Sequence, residues 1–455
     1  MIGEHMDGFS LGSMDQLDEL NKALTVGSGT DSALFTGGDA LRPESLEASM
    51  KVVTFTSDHI KFWKAIPKMP AYSTVEEHTV LGSYGPETGG FMVDGELPST
   101  QDSNYTRDVA LVRFLGTTRE VTLGTTWMRP AHGDVVGLET RAGILYLLEK
   151  LERALFWGDT TKVPQEFNGL FTLLLNNLVA DSENIEDLRG EPLTQEILNE
   201  KCRVIADNFG MPTNLYASFA AITDLGKQMV EVERIGPALQ NGTVGVALTK
   251  FVSQAGIIGL DGDVFLKAGS IPPTAATHTQ APVAPTVGAP AMVADAASKF
   301  IAGDAGNYFY KFTALNRFGE SVSVSSAVAA VAAGEKVSLI ITDGGGVAAT
   351  AYKVYRTPKA GLVGAAKYIQ TIAASGAATT TYTDLNEWLP NTTHALLLQN
   401  NTQSLSFKQL MPMIKLPLAR ISASVRWMQL MAGTPVLYAP RKNVVFKNIG
   451  PFVAT

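Results

Sequence analysis

The chain is poor in cysteine: Cys202 is the single one among 455 residues. No disulfide can form within the chain and no cysteine-based metal centre can be built. A reducing compartment suits such a sequence. Charge is scarce as well. Asp, Glu, Lys and Arg make up 18% of the residues, against about a quarter in ordinary globular chains. Either much of the surface is covered by other subunits, or the chain is simply rich in glycine and alanine. The balance is acidic, with a net charge of −8, and lacks the basic domain or stripe that grips nucleic acid. No run of about 18 apolar residues occurs, so no membrane-spanning helix is expected. The opening residues, MIGEHMDGFSLGSMDQLDEL, are acidic and carry neither the basic nor the apolar region of a secretory signal. Between Lys68 and Lys150 there is no lysine at all.

Motifs that carry chemistry are also missing. There is no phosphate-binding glycine loop followed by Lys-Ser or Lys-Thr, no GxSxG elbow and no HExxH. The six histidines (His5, His59, His78, His132, His278 and His394) are scattered, mostly in expected loops or termini, without the spacing of zinc ligands. The carboxylate pairs Glu76–Glu77 and Asp261/Asp263 read as a solvated strand edge and a solvated turn. Cys202 falls in an expected helix and reads as a small buried residue. The expectation is no catalytic residue, no cofactor and no metal.

What is present is a clear succession of elements. Residues 1–70 form an N-terminal arm rich in Gly, Ser and Asp, with helical candidates at Met14–Leu24 and from Arg42, where Pro43 suits a first turn. Residues 71–124 form a long two-stranded excursion. One strand runs out over Thr74–Leu81; the chain returns over Asp108–Leu115 and then Arg119–Leu123. A loop of that length without a helix reaches for something: a lid, a ligand or a neighbour. The strongest helix spans residues 134–157, capped by Asp134, with apolar residues at Leu138, Leu145, Leu148, Leu151 and Leu155. Residues 167–270 read as mixed α/β. Helices are expected at Leu193–Phe209, capped by Thr194, and at Ala221–Val230. A strand is expected at Asn214–Phe219, and short strands flank a turn at Asp261-Gly262-Asp263.

A Pro- and Ala-rich linker, residues 271–290, marks the clearest boundary. Short strands follow at about ten-residue spacing. In YFYKFTALNRFGES, residues Tyr308, Tyr310, Phe312 and Ala314 share one face. That stretch resembles a fibronectin type III or immunoglobulin-like sandwich. The last stretch, Gln409–Lys447, alternates apolar and polar residues over Ala419–Trp427 and is punctuated by Pro412, Pro417, Pro435 and Pro440. It reads as the return of the chain to a core left more than a hundred residues earlier, which makes residues 271–395 an insertion.

The succession, together with LMPMIKLPLA from Leu410, Ile421-Ser422-Ala423-Ser424, Ala439-Pro440-Arg441-Lys442, Lys447-Asn448, Phe156-Trp157-Gly158-Asp159 and Phe167-Asn168-Gly169-Leu170, resembles the major capsid proteins of large contractile-tailed phages. These have the Hong Kong 97-type fold and carry an immunoglobulin-like insertion. The resemblance implies an α+β chain divided into an arm (1–70), an extended loop over a neighbouring subunit (71–117) and a peripheral domain with the long helix (118–166). An axial domain (167–270), the outward sandwich (271–395) and returning strands (396–455) complete it. It implies self-assembly as hexamers and pentamers into an icosahedral head in the bacterial cytoplasm. Portal, scaffolding or decoration proteins would be partners. Double-stranded DNA would be enclosed without sequence-specific binding, and no membrane would be involved. The loop tip expected to touch the neighbour comprises Tyr84, Glu87, Gly89, Gly90, Asp94 and Glu96. Some family members join a loop lysine covalently to a neighbour's asparagine; the lysine-free loop here implies no such crosslink. An encapsulin-type compartment shares the expected fold. A secreted adhesin with a fibronectin-like module, or an enzyme with an accessory sandwich, are readings of a different class.

Overall fold

The computed structural model describes residues 54–85, 90–97, 100–128, 134–179, 182–233, 248–267, 269–420 and 422–452. Most of the expected N-terminal arm, with both its helical candidates, lies outside them. The described chain is mixed α+β, mostly sheet with few helices. Its strands in order begin with β1 (Lys68–Pro70), β2 (Val75–Ser83), β3 (Asn104–Leu111), β4 (Arg113–Thr122), β5 (Ile185–Asp187), β6 (Asn214–Ala217), β7 (Lys250–Ser253) and β8 (Gly256–Gly262). Next come β9 (Thr286–Val287), β10 (Ala291–Ala294), β11 (Gly306–Tyr308), β12 (Tyr310–Leu315), β13 (Val324–Ser325) and β14 (Ala329–Val331). Then follow β15 (Glu335–Thr342), β16 (Ala351–Arg356), β17 (Lys367–Ala373) and β18 (Thr379–Asp384), and finally β19 (Thr393–Leu398), β20 (Leu405–Pro417), β21 (Ser424–Leu437) and β22 (Val444–Ile449).

The late strands hold the early ones. One sheet has the order β1-β20-β21-β4, with β1 parallel to β20 and the other pairs antiparallel. A six-stranded sheet has the order β5-β22-β19-β6-β8-β7. Both sheets therefore mix residues from before 270 with residues after 390. Of the four prolines expected to bracket strands, Pro417 ends β20 and Pro440 stands between β21 and β22, but the other two lie inside strands. β20 runs through Pro412 where its register against β21 slips between Met411 and Ile414, and β21 runs through Pro435 opposite Phe407. A slip of this kind leaves a backbone position unpaired, so the missing N–H costs little there. The expected strand at Ala419–Trp427 starts only at Ser424.

The long helix spans Val135–Trp157, and the Asp134 carboxylate caps it by accepting from the N–H groups of Val136 and Gly137. Its buried residues include Gly143, Leu147, Leu151 and Leu155, four apart. Leu138, Leu145 and Leu148 are only half-buried. The reason lies in what faces the first half of the helix. There Gln429 of β21 lies across Gly143 and donates to the Thr140 carbonyl at 2.8 Å, so a polar contact takes the place of a leucine. The second half enters a cluster with Phe62, Leu170, Phe171, Leu174, Leu398 and Phe407. Helix Leu170–Asn177 thus packs with the long helix as well as with the six-stranded sheet, through Tyr216, Leu396, Leu398 and Val445.

The two glycine steps explain each other. The Gly169 N–H donates to the Gly158 carbonyl at 2.8 Å, and the Asn168 carboxamide accepts from the Thr160 backbone and hydroxyl at 2.9 Å each. A Cβ on Gly169 would stand 2.5 Å from the Ala154 carbonyl oxygen and 2.7 Å from the Gly158 nitrogen. Both obstacles are backbone and cannot swing away. Gly169→Ala is expected to destabilise the protein by about 1–3 kcal/mol, read as a lower urea midpoint at unchanged slope.

Two predicted turns are displaced. The excursion returns as Asn104–Leu111 and Arg113–Thr122, with the break at Val112 instead of near residues 116–118. Val112 is buried beside Ala71 and Ala432 and donates its N–H to Thr74, so packing at the root of the excursion sets the break. β4 therefore belongs wholly to the sheet with β21, and the excursion proper ends before residue 112. β8 likewise runs through Asp261 and Gly262, because β6 pairs with it in parallel as far as Ala217↔Gly262. The expected strand beyond is a 3-10 turn, Val264–Leu266, capped by Asp263.

Strands β9 to β18 form a separate β unit. One sheet holds β10-β15-β18 with β9, another β13-β12-β16-β17, and β11 pairs with β14. Their shared cluster includes Tyr308, Tyr310, Phe312 and Ala314, all buried on one face as the alternation implies, against Val337, Leu339, Val354 and Tyr382. β9 falls inside the expected linker, and β19, which begins at Thr393, belongs to the six-stranded sheet. The strands of the β unit therefore end at Asp384, before the expected limit of 395. Asn448, at φ 55°, fixes the exit: its side chain donates to Asp187 and to the Glu387 carbonyl at 2.7 Å each and accepts from Leu389 at 2.9 Å. Asparagine is among the few residues that tolerate that backbone region.

Candidate subunit-contact surface

Among the described residues β2 and β3 pair only with each other. Their register runs from Val75↔Leu111 to Ser83↔Asn104, which makes an outstretched ribbon about 25–30 Å long at the usual strand rise. Neither face is buried: along β2 the residues alternate between exposed and half-buried, and β3 is exposed almost throughout. Val75 and Leu81 on β2 and Tyr105, Val109 and Leu111 on β3 all face solvent. A lone two-stranded ribbon is marginally stable in water at best. Ion pairs add little at such exposure; Arg107, which faces Thr79 across the ribbon, pairs with Glu77.

The apolar residues of the connection between β2 and β3 are more exposed still. Phe91 is fully exposed and Leu97 is 94% exposed. Of the residues expected at the tip, Tyr84 is 85% exposed, and its carbonyl accepts from the Ser103 hydroxyl at 3.3 Å. Gly90 sits at φ +84° with open space around it. Asp94 and Glu96 are exposed, and the Glu96 N–H closes a turn onto the Val93 carbonyl at 3.0 Å. These four share the connection without touching one another; Glu87 and Gly89 lie outside the described residues. Phe91, Met92 and Leu97 were not singled out by sequence reasoning. Their signal was available as a run of apolar residues between glycines, but without a strand partner such a run does not show which side is covered.

At the root of the ribbon, a cavity of about 180 Å³ lies between His78, Asp108 and Arg113 on one side and Thr160, Phe167, Asn168 and Leu437 on the other. The His78 ring meets Tyr438 edge-on at 5.0 Å. Burial pushes its pKa below the usual imidazole value, and the Asp108 carboxylate 4.0 Å away only partly offsets this. His394 is not in a loop either: it lies on β19, enclosed by Trp157, Phe171 and Trp388, and that desolvation holds its pKa down at about 3. Cys202 is buried, and burial pushes its thiol up to about 11. A neutral imidazole in an aromatic cage and an un-ionised thiol are packing groups. Among the described residues no cluster of His, Cys, Asp or Glu could hold a metal ion, and no helix is long and apolar enough to cross a membrane.

No family model matches the chain. Individual relatives do. The chain is 27% identical over 457 aligned positions to a protein of Enterococcus phage phiEF24C that bears the provisional name of major capsid protein, covering 96% of each chain. It is 25% identical over 459 positions to the major capsid protein of Staphylococcus phage K, again covering 96% of each. Among solved structures, the capsid of a native GTA particle matches 93% of this chain and 100% of its own at 8% identity and a TM-score of 0.46. The assignment rests on the sequence relatives, whose match runs through the ribbon, the long helix and the β unit alike. Along nearly its whole length, this chain is a homologue of phage major capsid proteins.

Proposed function

We infer that the protein is the major capsid protein of a tailed bacteriophage, self-assembling into the shell of the virion with a Hong Kong 97-type fold. Homology over 96% of the chain carries the inference, and the exposed self-paired ribbon supports it, because such a ribbon needs a surface to lie on. That surface is a neighbouring subunit within or between hexamers and pentamers, and the contact is made by Tyr84, Gly90, Asp94 and Glu96 together with Phe91 and Leu97. The β unit of strands β9 to β18 is the immunoglobulin-like insertion, projecting outward from the axial domain. The subunit is structural and not an enzyme. Its acidic balance suits a wall that encloses double-stranded DNA without binding its sequence, and portal, scaffolding or decoration proteins complete the particle.

Electron microscopy of the expressed full chain tests this reading: shells, tubes or capsomers are expected, and a persistent monomer under all assembly conditions would overturn it. The double variant Phe91→Asp, Leu97→Asp is expected to keep its thermal midpoint, since exposed substitutions cost about 0.5 kcal/mol or less. Its yield of assembled particles should fall on the order of tenfold or more, the range of a lost interface anchor. With no lysine between Lys68 and Lys150, denaturing gels of purified particles are expected to show single chains and no ladder of joined subunits.

A further inference from the structure

The long helix carries one charged residue that its amphipathic pattern does not explain. Glu152 is 0% exposed, one residue from Leu151 and four from Phe156. Its Oε1 accepts from the backbone N–H groups of Lys61 at 2.9 Å and Phe62 at 2.7 Å, and its Oε2 from that of Trp63 at 2.9 Å. One carboxyl thus ties down three consecutive amides of the segment that leads from the N-terminal side into β1. Asp263, 1% exposed at the end of β8, is not the solvated turn residue expected from sequence. Its Oδ1 accepts from Phe265 at 2.8 Å. Among the described residues its buried Oδ2 finds no donor, and the Asp263 and Glu152 carboxyls interact directly.

The surroundings cannot neutralise two anions. From the segment, Lys61 and Lys68 bear on the pair, but both side chains are exposed to solvent. From β6, the buried Tyr216 hydroxyl faces it and brings no charge. From β8, Asp261 adds a further carboxylate beside Tyr216, held by the Asn214 amide at 2.8 Å. Two carboxylates side by side in such a site do not both ionise. Desolvation raises both above the ordinary carboxylate range, and the proton the pair shares leaves at about pH 7. Glu152 already receives three N–H bonds and is the better anion; the bare Oδ2 of Asp263 is the natural seat of the proton.

We propose that Asp263 and Glu152 share one proton and that this proton fastens residues 60–66 to the long helix and to the end of β8, a fastening that loosens as the pH rises. With Asp263 protonated, its O–H donates to Glu152 and every buried oxygen of the pair has a partner. When the proton leaves to solvent, two carboxylates face each other and the cheapest relief is to draw Glu152, with the three amides it holds, out of the site. The pair holds its proton more tightly in the folded chain than in the unfolded one. Its contribution is therefore complete below about pH 4.5 and is lost as the pH rises through about 7.

Hydrogen exchange of the full-length protein, corrected for intrinsic rates, reads the fastening directly at the amides of Lys61, Phe62 and Trp63. Their protection is expected to fall on the order of tenfold between about pH 5.5 and about pH 8, while amides of the β unit, such as those of Leu339 and Val354, serve as a reference that does not follow this change. Asp263→Asn keeps a donor facing Glu152 without a titrating proton, so its protection at these amides should be the same at both pH values. Glu152→Gln turns a donor toward the backbone donors and should lose protection at both. In the unaltered protein, an infrared carboxylic acid band should vanish over the same interval, a measurement that stands even where a variant fails to fold. Flat protection in the unaltered protein, an unchanged slope in Asp263→Asn, or no titrating acid band would each overturn the proposal.

Discussion

Arg356→Leu is expected to destabilise the β unit by about 3–5 kcal/mol, among the largest effects of any single change in this chain. Arg356 is 1% exposed and Asp384 4%. The guanidinium donates to the Asp384 carboxylate at 2.6 Å and to the Asn386 carboxamide at 2.7 Å. The Tyr310 hydroxyl donates to the same Asp384 oxygen at 2.8 Å, and the guanidinium also lies over the rings of Phe300 and Tyr308 at 5.5 and 5.3 Å. Leucine would restore some packing but strand a carboxylate in an apolar cluster, which is the costly outcome for a buried pair. Burial beside Asp384 pushes the Tyr310 hydroxyl well above its ordinary pKa, so it stays a neutral donor and does not offset the stranded negative charge. The double variant Arg356→Leu, Asp384→Leu removes both charges and should recover most of the loss. Denaturant unfolding with exchange read at β12, β16 and β18 checks this. Equal losses in the single and double variants would show that the charges are not the cause.

Phe407→Ala is expected to cost about 3–5 kcal/mol through the cavity it leaves. Phe407 is 0% exposed on β20, edge-on to Trp63 at 4.8 Å and to Phe167 at 6.2 Å. Its ring occupies the space above Gly433 of β21, where a Cβ would come within 2.2 Å of it. The Phe407 N–H donates to the Pro67 carbonyl at 2.8 Å, opening the parallel pairing of β1 with β20. One side chain thus joins the segment before β1, the step after the long helix, and the returning C-terminal strands. The lowered midpoint should come with lost exchange protection at residues 62–71. A change confined to β20 and β21 would contradict that joining role. Phe407→Leu should lose less than half as much, because a leucine fills much of the same volume.

Several elements of this fold are legible in the chain because their causes are local. The helix from Val135 to Trp157 begins at Asp134 because a carboxylate there satisfies its first amides. The buried face of Tyr308, Tyr310, Phe312 and Ala314 follows from a period of two. The return of the C-terminal strands to an earlier core is readable because strands of that pattern need partners that the neighbouring residues do not provide. The family resemblance rested on residues such as Gly158, Gly169 and Asn448, and the structure gives each a backbone reason for its identity.

Other features were decided only by the tertiary structure. Val112 ends the excursion because it packs against Ala71 and Ala432, and no local signal distinguishes it from the valines nearby. Pro412 stays within a strand because a register slip absorbs it. Asp263 reads as a solvated turn residue and Glu152 carries no signal of its own, and they become a buried pair because segments about ninety and a hundred residues away close over them. At the ribbon tip the sequence by itself determined that a long, lysine-free, two-stranded excursion exists. Which of its residues stand bare was decided by the fold, since exposure is a property of what packs nearby and not of the residue's own chemistry.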